Sequence, residues 1–233
     1  MSRRPRALVS WSSGKDSAWA LVQTLRAGRY EVAGLLTTAT EGYGRVSMHG
    51  VREEILSRQA SAAGLPCATV RIPPAASNAD YERAFLAAVA RAQRAGIERI
   101  VFGDLFLADV RAYRERLLDG SGVAPDFPLW GFDTGVLARE MIAAGLRARV
   151  VCLDPRRLVA SFAGREFDAA FLDDLPAGVD PCGENGEFHT CVTDGPMFAA
   201  AVPVERGETL LRDGFVFSDL LPADSRREAA AAP

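Results

Sequence analysis

Four times in the first 118 residues, a short apolar run leads through a turn into a stretch with apolar residues at helical spacing. Residues 6–11 (RALVSW), 31–38 (EVAGLLTT), 67–72 (CATVRI) and 98–102 (ERIVF) read as buried strands. Residues 17–28, about 49–63, about 78–95 and 108–118 read as helices. Gly28 is a C-cap signal, and Ser77 followed by Asp80 is a capping signature. Strands separated by helices need crossovers, so they run parallel, with right-handed connections and helices on both faces. The sequence therefore predicts an α/β chain built on a doubly wound parallel sheet.

After residue 120 the rhythm breaks at SGVAPDFPLWG, where the sequence predicts a domain boundary. Residues 1–122 form the first domain in this reading and 123–221 a smaller α+β domain. The second domain is predicted to hold helices at 134–144 and 166–173, a short segment around Phe162, and strands at 148–153, 188–192 and 214–220. Residues 222–233 read as a frayed, disordered tail. Of the 233 residues, 48% are hydrophobic, enough for a sizeable core, which excludes disorder as the main state. A net charge of -3 argues against a broad nucleic-acid-binding surface. The four cysteines form no CxxC pair, the N-terminal apolar run stops at Val9, and no run of about 18 apolar residues exists. The expectation is a cytoplasmic protein that spans no membrane.

Of the 27 basic residues, 26 are arginine and one, Lys15, is lysine. A chain that uses arginine almost everywhere keeps one compact ammonium in a turn rich in serine and glycine. The turn, SSGKDS, follows the first strand, and ligands of open α/β sheets bind beyond the carboxyl ends of the strands. A helix starting there offers unpaired N–H groups and the positive end of its dipole, an anion site. Ser12, Ser13 and Ser17 add hydroxyls, Gly14 allows close approach, and Lys15 adds a point charge. Asp16 either caps the helix or helps hold Mg²⁺. The turn is not a Walker P-loop, because Val9 stands where that motif needs glycine and Asp16 where it needs Ser or Thr. The competing reading is a capped βα turn that binds nothing.

A second polar stretch, GVDPCGENGEFHTCVTDGP (178–196), gathers Glu184, Asn185, Glu187, His189 and Thr190 beside a short strand. Gly183 and Gly186 permit a tight turn. Four readings stand side by side: a zinc site from Cys182, His189 and Cys191, a Cys–His nucleophile, an acceptor-substrate site, and a plain polar turn.

SSGKDS resembles the SGGxDS PP-loop of ATP pyrophosphatases, with Ser13 in place of the first glycine. SWSSGKDSAWAL, RVSMHGVR, VFGDLFLADVRAYRE, FPLWGFDT and DPCGENGEFHT occur in that order between about residues 6 and 220. Together they resemble the diphthine–ammonia ligase (diphthamide synthase) family of PP-loop ATP pyrophosphatases. The resemblance implies a HUP-type (Rossmann-like) nucleotide-binding domain with a smaller α+β domain closing over it. It implies ATP and Mg²⁺, adenylation of a carboxyl or carbonyl oxygen with release of pyrophosphate, and displacement of AMP by ammonia or an amine. It places Ser10, Ser12, Ser13, Gly14, Lys15, Asp16, Ser17, Leu36, Gly103 and Asp104 at the nucleotide, with Asp16 as the Mg²⁺ ligand. It gives Lys15, Asp16, Glu184, Glu187 and His189 the chemistry. His49, Arg52, Trp130, Gly183, Asn185 and Thr190 become acceptor contacts, although His49 and Arg52 read equally well as first-turn residues of a helix and Trp130 as a seal between domains. The arginine- and alanine-heavy composition is that of a GC-rich bacterial chain, so the acceptor, a small molecule or a protein side chain, need not be diphthine. Position 2 is Ser2, not the cysteine of a fused glutaminase, so ammonia is expected free or from a separate donor. Self-association into a homodimer is left open. The rival functions are an adenine-nucleotide sensor without turnover and a PP-loop tRNA-modifying enzyme.

Overall fold

The computed structural model describes residues 3–42, 44–46 and 50–224. In chain order the first unit holds β1 (Arg6–Ser10), α1 (Lys15–Ala27), β2 (Glu31–Thr40), β3 (Arg45–Val46), α2 (Glu53–Ala62), β4 (Cys67–Ile72), α3 (Asn78–Arg94), β5 (Ile97–Val101), α4 (Ala108–Leu118) and β6 (Ala124–Asp126). Then come α5 (Thr134–Ala143), β7 (Arg147–Leu153), a 3-10 turn (Ala160–Phe162), α6 (Ala169–Asp173), β8 (Phe188–Asp194), β9 (Val204–Arg212) and β10 (Phe215–Pro222).

The predicted alternation produces the predicted sheet. Five strands pair in parallel in the order β4-β2-β1-β5-β6, a Rossmann-like arrangement. β3 adds antiparallel to Ala39 and Thr40 of β2, beyond Leu36, where the pairing with β1 stops. Side chains of β1 alternate between the two faces. Ala7 and Val9 join a core with Leu21 of α1 and Ile55 of α2, whereas Leu8 joins a core with Phe85 and Val89 of α3. Both faces are thus covered. β7, β8, β9 and β10 form a separate antiparallel sheet in the order β8-β7-β10-β9.

Several boundaries differ from expectation. α2 begins at Glu53 instead of about residue 49, and residues 47–49 lie outside the described ones, as do 225–233 of the expected tail. α6 begins at Ala169 instead of 166, because Glu166 bridges to Arg149 and the Phe167 N–H donates to the Ala148 carbonyl, holding that segment along β7. Asp168 then caps the helix by accepting from the Phe171 N–H at 2.7 Å. Sequence reading missed β9, which has no buried face to create an alternating pattern, and β6, a three-residue edge strand containing Pro125. Among the described residues, no helix is long and apolar enough to cross a membrane.

The second sheet meets the first across α1 and α2. One apolar core runs through Val9, Trp19, Ile55, Met141, Phe171, Phe188 and Val192. Within it sits a single amide, Gln59, fully buried on the apolar stripe of α2. Its Oε1 accepts from the Trp11 indole at 3.0 Å, and its Nε2 donates to the Val192 carbonyl at 2.7 Å and the Ser13 carbonyl at 3.2 Å. The Val192 N–H also donates to the Ser13 carbonyl at 2.8 Å. This small network joins the turn after β1 to β8. Gln59→Leu strands the Trp11 donor and weakens the seam, so it should cost about 2–4 kcal/mol of stability, seen as a lower urea midpoint with an unchanged slope.

Candidate active site

Residues 12–17 form a tight bend between β1 and α1. Ser13 adopts a left-handed φ of 69°, the conformation in which glycine is free of strain, at a cost of roughly 1–2 kcal/mol for serine. The Ser17 hydroxyl donates to the Gly14 carbonyl at 2.9 Å and lies 3.1 Å from the Ser12 hydroxyl. The Gly14 N–H donates to the Ser12 hydroxyl at 3.3 Å. Gly14 is the N-cap of α1 and makes no side-chain cap, so the helix opens at the bend. The Ser13 hydroxyl is buried without a protein partner.

Gly103, just past β5, is pressed against this bend. A Cβ there would lie 2.7 Å from the Asp16 carbonyl carbon and 2.9 Å from the Ser17 nitrogen, so only glycine permits the contact. Asp104 beside it is bound by Arg114 at 2.6 and 3.1 Å. Ser10 ends β1 half-buried. Leu36 is buried with Phe85 and Val89, and its carbonyl accepts the Trp11 N–H at 2.8 Å.

Lys15 does not point into bulk solvent. Only 2% of its side chain is exposed. Its Nζ donates to both Asp16 oxygens, at 2.8 and 3.0 Å, and to the carbonyl of Cys182. The rings of Phe167 and Phe188 flank it at 5.5 and 5.4 Å. Burial works against this ammonium most strongly, but the charge and hydrogen bonds of Asp16, together with Cys182 and Glu184, outweigh it and the lysine pKa is raised. The Lys15 N–H donates to the Thr190 hydroxyl at 3.1 Å. The lysine turn and the GENGEFHT loop, separated by some 170 residues of chain, thus form one site.

The loop is organised by an aspartate that sequence reading missed. Asp180 accepts from the Thr134 hydroxyl at 2.5 Å and from the N–H groups of Cys182 at 3.2 Å and Glu184 at 2.8 Å. The signal was present as an Asp-Pro pair, which favours such turns. Gly183 has φ 70°, and a Cβ there would meet the Phe188 carbonyl at 2.7 Å. Glu184 reaches back to accept from the Leu105 N–H at 2.8 Å. Burial pushes its carboxyl up to about 7, helped by the charges of Asp16 and Asp104 and opposed by the Leu105 hydrogen bond. Burial, with Lys15 adding to it, holds His189 down to about 4, so its imidazole is neutral at pH 7.

Glu187 is turned under the loop, 1% exposed. Its Oε1 accepts from the Asp180 N–H at 3.2 Å and from Asn185 at 3.1 Å, while its Oε2 has no protein partner. The remaining predicted residues lie elsewhere. Arg52 is bound to Asp219 of β10 at 2.6 Å, and Trp130 packs edge-on to Phe127 under the Arg111 guanidinium at 4.7 Å. His49 lies outside the described residues.

The thiols of Cys182 and Cys191 are both pushed up by burial, which disfavours a thiolate nucleophile. Among the described residues, no group of three or more His, Cys, Asp or Glu side chains is arranged to hold a metal ion. Asp16, 28% exposed beside the bend, is a carboxylate of the type that a nucleotide's magnesium ion takes along with phosphate oxygens, but here both its oxygens accept from Lys15 and burial raises its pKa.

Comparison with known proteins gives a consistent result. Residues 5–125 match the family model of the diphthamide synthase N-terminal domain, and residues 133–218 that of the diphthamide synthase C-terminal domain. Among curated proteins, the chain is similar to a diphthine–ammonia ligase of Rattus norvegicus, 27% identical over 128 residues, which is 52% of this chain and 48% of that protein. It is also similar to a diphthine–ammonia ligase of Danio rerio, 33% identical over 98 residues, which is 39% of this chain and 37% of that protein. The matches span about half or less of the length of these relatives.

Glu184 and His189 act on stability in opposite directions on acidification. Between pH 4.5 and 7 the folded chain holds the Glu184 proton more tightly than the unfolded chain, so this group stabilises the fold as pH falls. Between pH 6.5 and 4 the unfolded chain protonates His189 more readily, so that group destabilises the fold as pH falls. Glu184→Gln removes the first contribution alone. Urea midpoints of the variant should therefore fall more steeply than wild type on acidification from pH 7 to 4.5, and parallel curves would contradict the assignment.

Proposed function

Because the chain belongs to the diphthamide synthase family, we propose that it is an ATP-dependent carbon–nitrogen ligase of the ATP pyrophosphatase type. In this reading it transfers AMP from ATP to a carboxyl or carbonyl oxygen of an acceptor, releases pyrophosphate, and lets ammonia or an amine displace AMP. The observation that carries the reading is the buried Lys15, set at the open start of α1 and held by the loop that bears Glu184 and His189.

The bend supplies what a leaving pyrophosphate needs. Charge develops on the β and γ phosphates as the bond to the α-phosphate breaks. The N-terminus of α1 and the hydroxyls of Ser12, Ser13 and Ser17 would meet that charge, and the ammonium of Lys15 would join them by exchanging a donor now held by Asp16 or the Cys182 carbonyl. Asp16 would hold Mg²⁺ together with the phosphates, and the ion would neutralise their charge when bound. Gly103 keeps the bend and the end of β5 in contact, and in this reading Asp104 would border the nucleotide.

Glu184 is suited to accept a proton from the attacking ammonium or amine, because its pKa of about 7 lies near working pH. His189, uncharged, would orient the acceptor or the amine without repelling an ammonium. Thr190 and Gly183 shape the loop, and Glu187 with Asn185 holds it from beneath. The acceptor is a small molecule or a protein side chain, ammonia comes free or from a separate donor, and the protein works in the cytoplasm.

Lys15→Ala should reduce pyrophosphate formation about 10- to 100-fold, as for loss of a charge-assisted hydrogen bond of roughly 1.5–3 kcal/mol. Lys15→Arg should not restore it, because a planar guanidinium does not fit the slot between Phe167 and Phe188. The assay is phosphorus NMR of ATP, Mg²⁺ and ammonium with the protein and fractionated cell extract. Extract-dependent AMP and pyrophosphate are expected. Formation of ADP would contradict the reaction, and nucleotide binding without turnover would indicate a sensor.

A further inference from the structure

A cavity lies away from the lysine bend. It measures about 550 Å³ and opens between the start of α2 and the β9–β10 hairpin, so both sheets wall it. Val51, Val151, Leu210 and Phe217 give it an apolar lining. Its polar side is dominated by guanidinium. Arg45 binds Asp219 at 2.8 and 3.2 Å, and Arg52 binds the same carboxylate through Nη2 at 2.6 Å and Nε at 3.2 Å. A third guanidinium, Arg212, lies over the Phe217 ring at 4.7 Å and, among the described residues, pairs with its exposed neighbour Asp213 at 3.7 Å.

The strand register explains how Asp219 reaches this position. Ser218 pairs with Thr209 and Leu220 with Arg206, so Gly207 and Glu208 of β9 stand opposite Asp219 alone. That is a bulge, a device that re-aims a side chain out of the regular ladder. The result is one carboxylate shared by two guanidiniums that come from the other sheet's edge. Among the described residues that line the pocket, Arg45, Arg52 and Arg212 face Asp219 and Glu208, with Asp213 outside the lining beside Arg212. A shared counter-ion with cationic excess and apolar walls is suited to an incoming anion that carries an apolar body.

We propose that this cavity binds a small organic anion, a carboxylate or phosphate group on an apolar body, gripped by Arg45 and Arg52 in competition with Asp219. The site stands apart from the nucleotide reading and does not depend on it. Arg212 at the mouth draws the anion in, and Phe217 packs against its body.

The test is calorimetric titration with phenylacetate and phenyl phosphate as probes and phenethylamine as the cationic control. Wild type should bind one or both anions saturably and the amine not at all. Tighter phenylacetate binding marks a carboxylate ligand, and tighter phenyl phosphate binding a phosphate ligand. Asp219→Asn removes the competing counter-ion and should tighten binding about tenfold, whereas Arg52→Gln should weaken it about tenfold. Arg212→Gln, at an exposed position that leaves the fold intact, should weaken it several-fold. Ser12→Ala, a half-buried change confined to the phosphate bend, should leave it unchanged, which separates this site from the bend. A structural clamp without a ligand role would give the opposite sign at Asp219. Weaker binding in Asp219→Asn, equal binding of the amine, or no saturable anion binding would therefore overturn the proposal.

Discussion

The architecture turns on one buried ammonium. Removing a charge from water costs several kcal/mol unless ion pairing and hydrogen bonds offset it. Lys15 recovers that cost from Asp16 on its own helix, from the Cys182 carbonyl on the distant loop, and from the faces of Phe167 and Phe188. No single element supplies all of these partners, so the lysine is satisfied only when the second sheet closes on the first. The candidate site and the contact between the two sheets are therefore the same set of atoms.

The neighbouring contacts follow the same logic. The strained Ser13 bend is held by Gln59 and by the Val192 N–H, both of which grip its carbonyl, and Thr190 accepts the Lys15 N–H. Backbone strain of this kind persists only where its surroundings over-determine it, and it concentrates at functional sites. The same closure buries Glu184, and that burial, helped by the charges of Asp16 and Asp104, raises its pKa into the range useful for proton transfer. In the proposed reading, the groups that would meet the leaving phosphates and the carboxyl that would take a proton are brought together by one packing event. That is the physical basis for reading the chain as a ligase rather than a passive nucleotide binder.

Much of this was legible in the sequence, for identifiable reasons. The period of strands and helices gave the parallel sheet because apolar residues on both faces of β1 leave no other way to bury them. Lys15 stood out because twenty-six other basic positions are arginine. The capping box at Ser77 and Asp80 formed as its spacing requires. What stayed hidden depends on tertiary contact. Gln59 looks like an ordinary polar residue until the stripe Ile55, Leu56, Gln59, Ala60 is seen to be wholly buried. β9 carries no apolar alternation because most of it is exposed. Glu187 and Glu184 are alike in sequence terms, yet one is sealed beneath the loop and the other reaches the edge of the first sheet. Spacing cannot tell which way each will turn.

The chain's single lysine makes the central claim directly measurable. With nitrogen-15 at Lys15 Nζ, the protein gives one side-chain ammonium signal. The account predicts a signal that stays protonated above the ordinary lysine range, exchanges slowly with water, and moves when Mg-ATP is added. A resonance that titrates like a free lysine and is indifferent to ATP would contradict it.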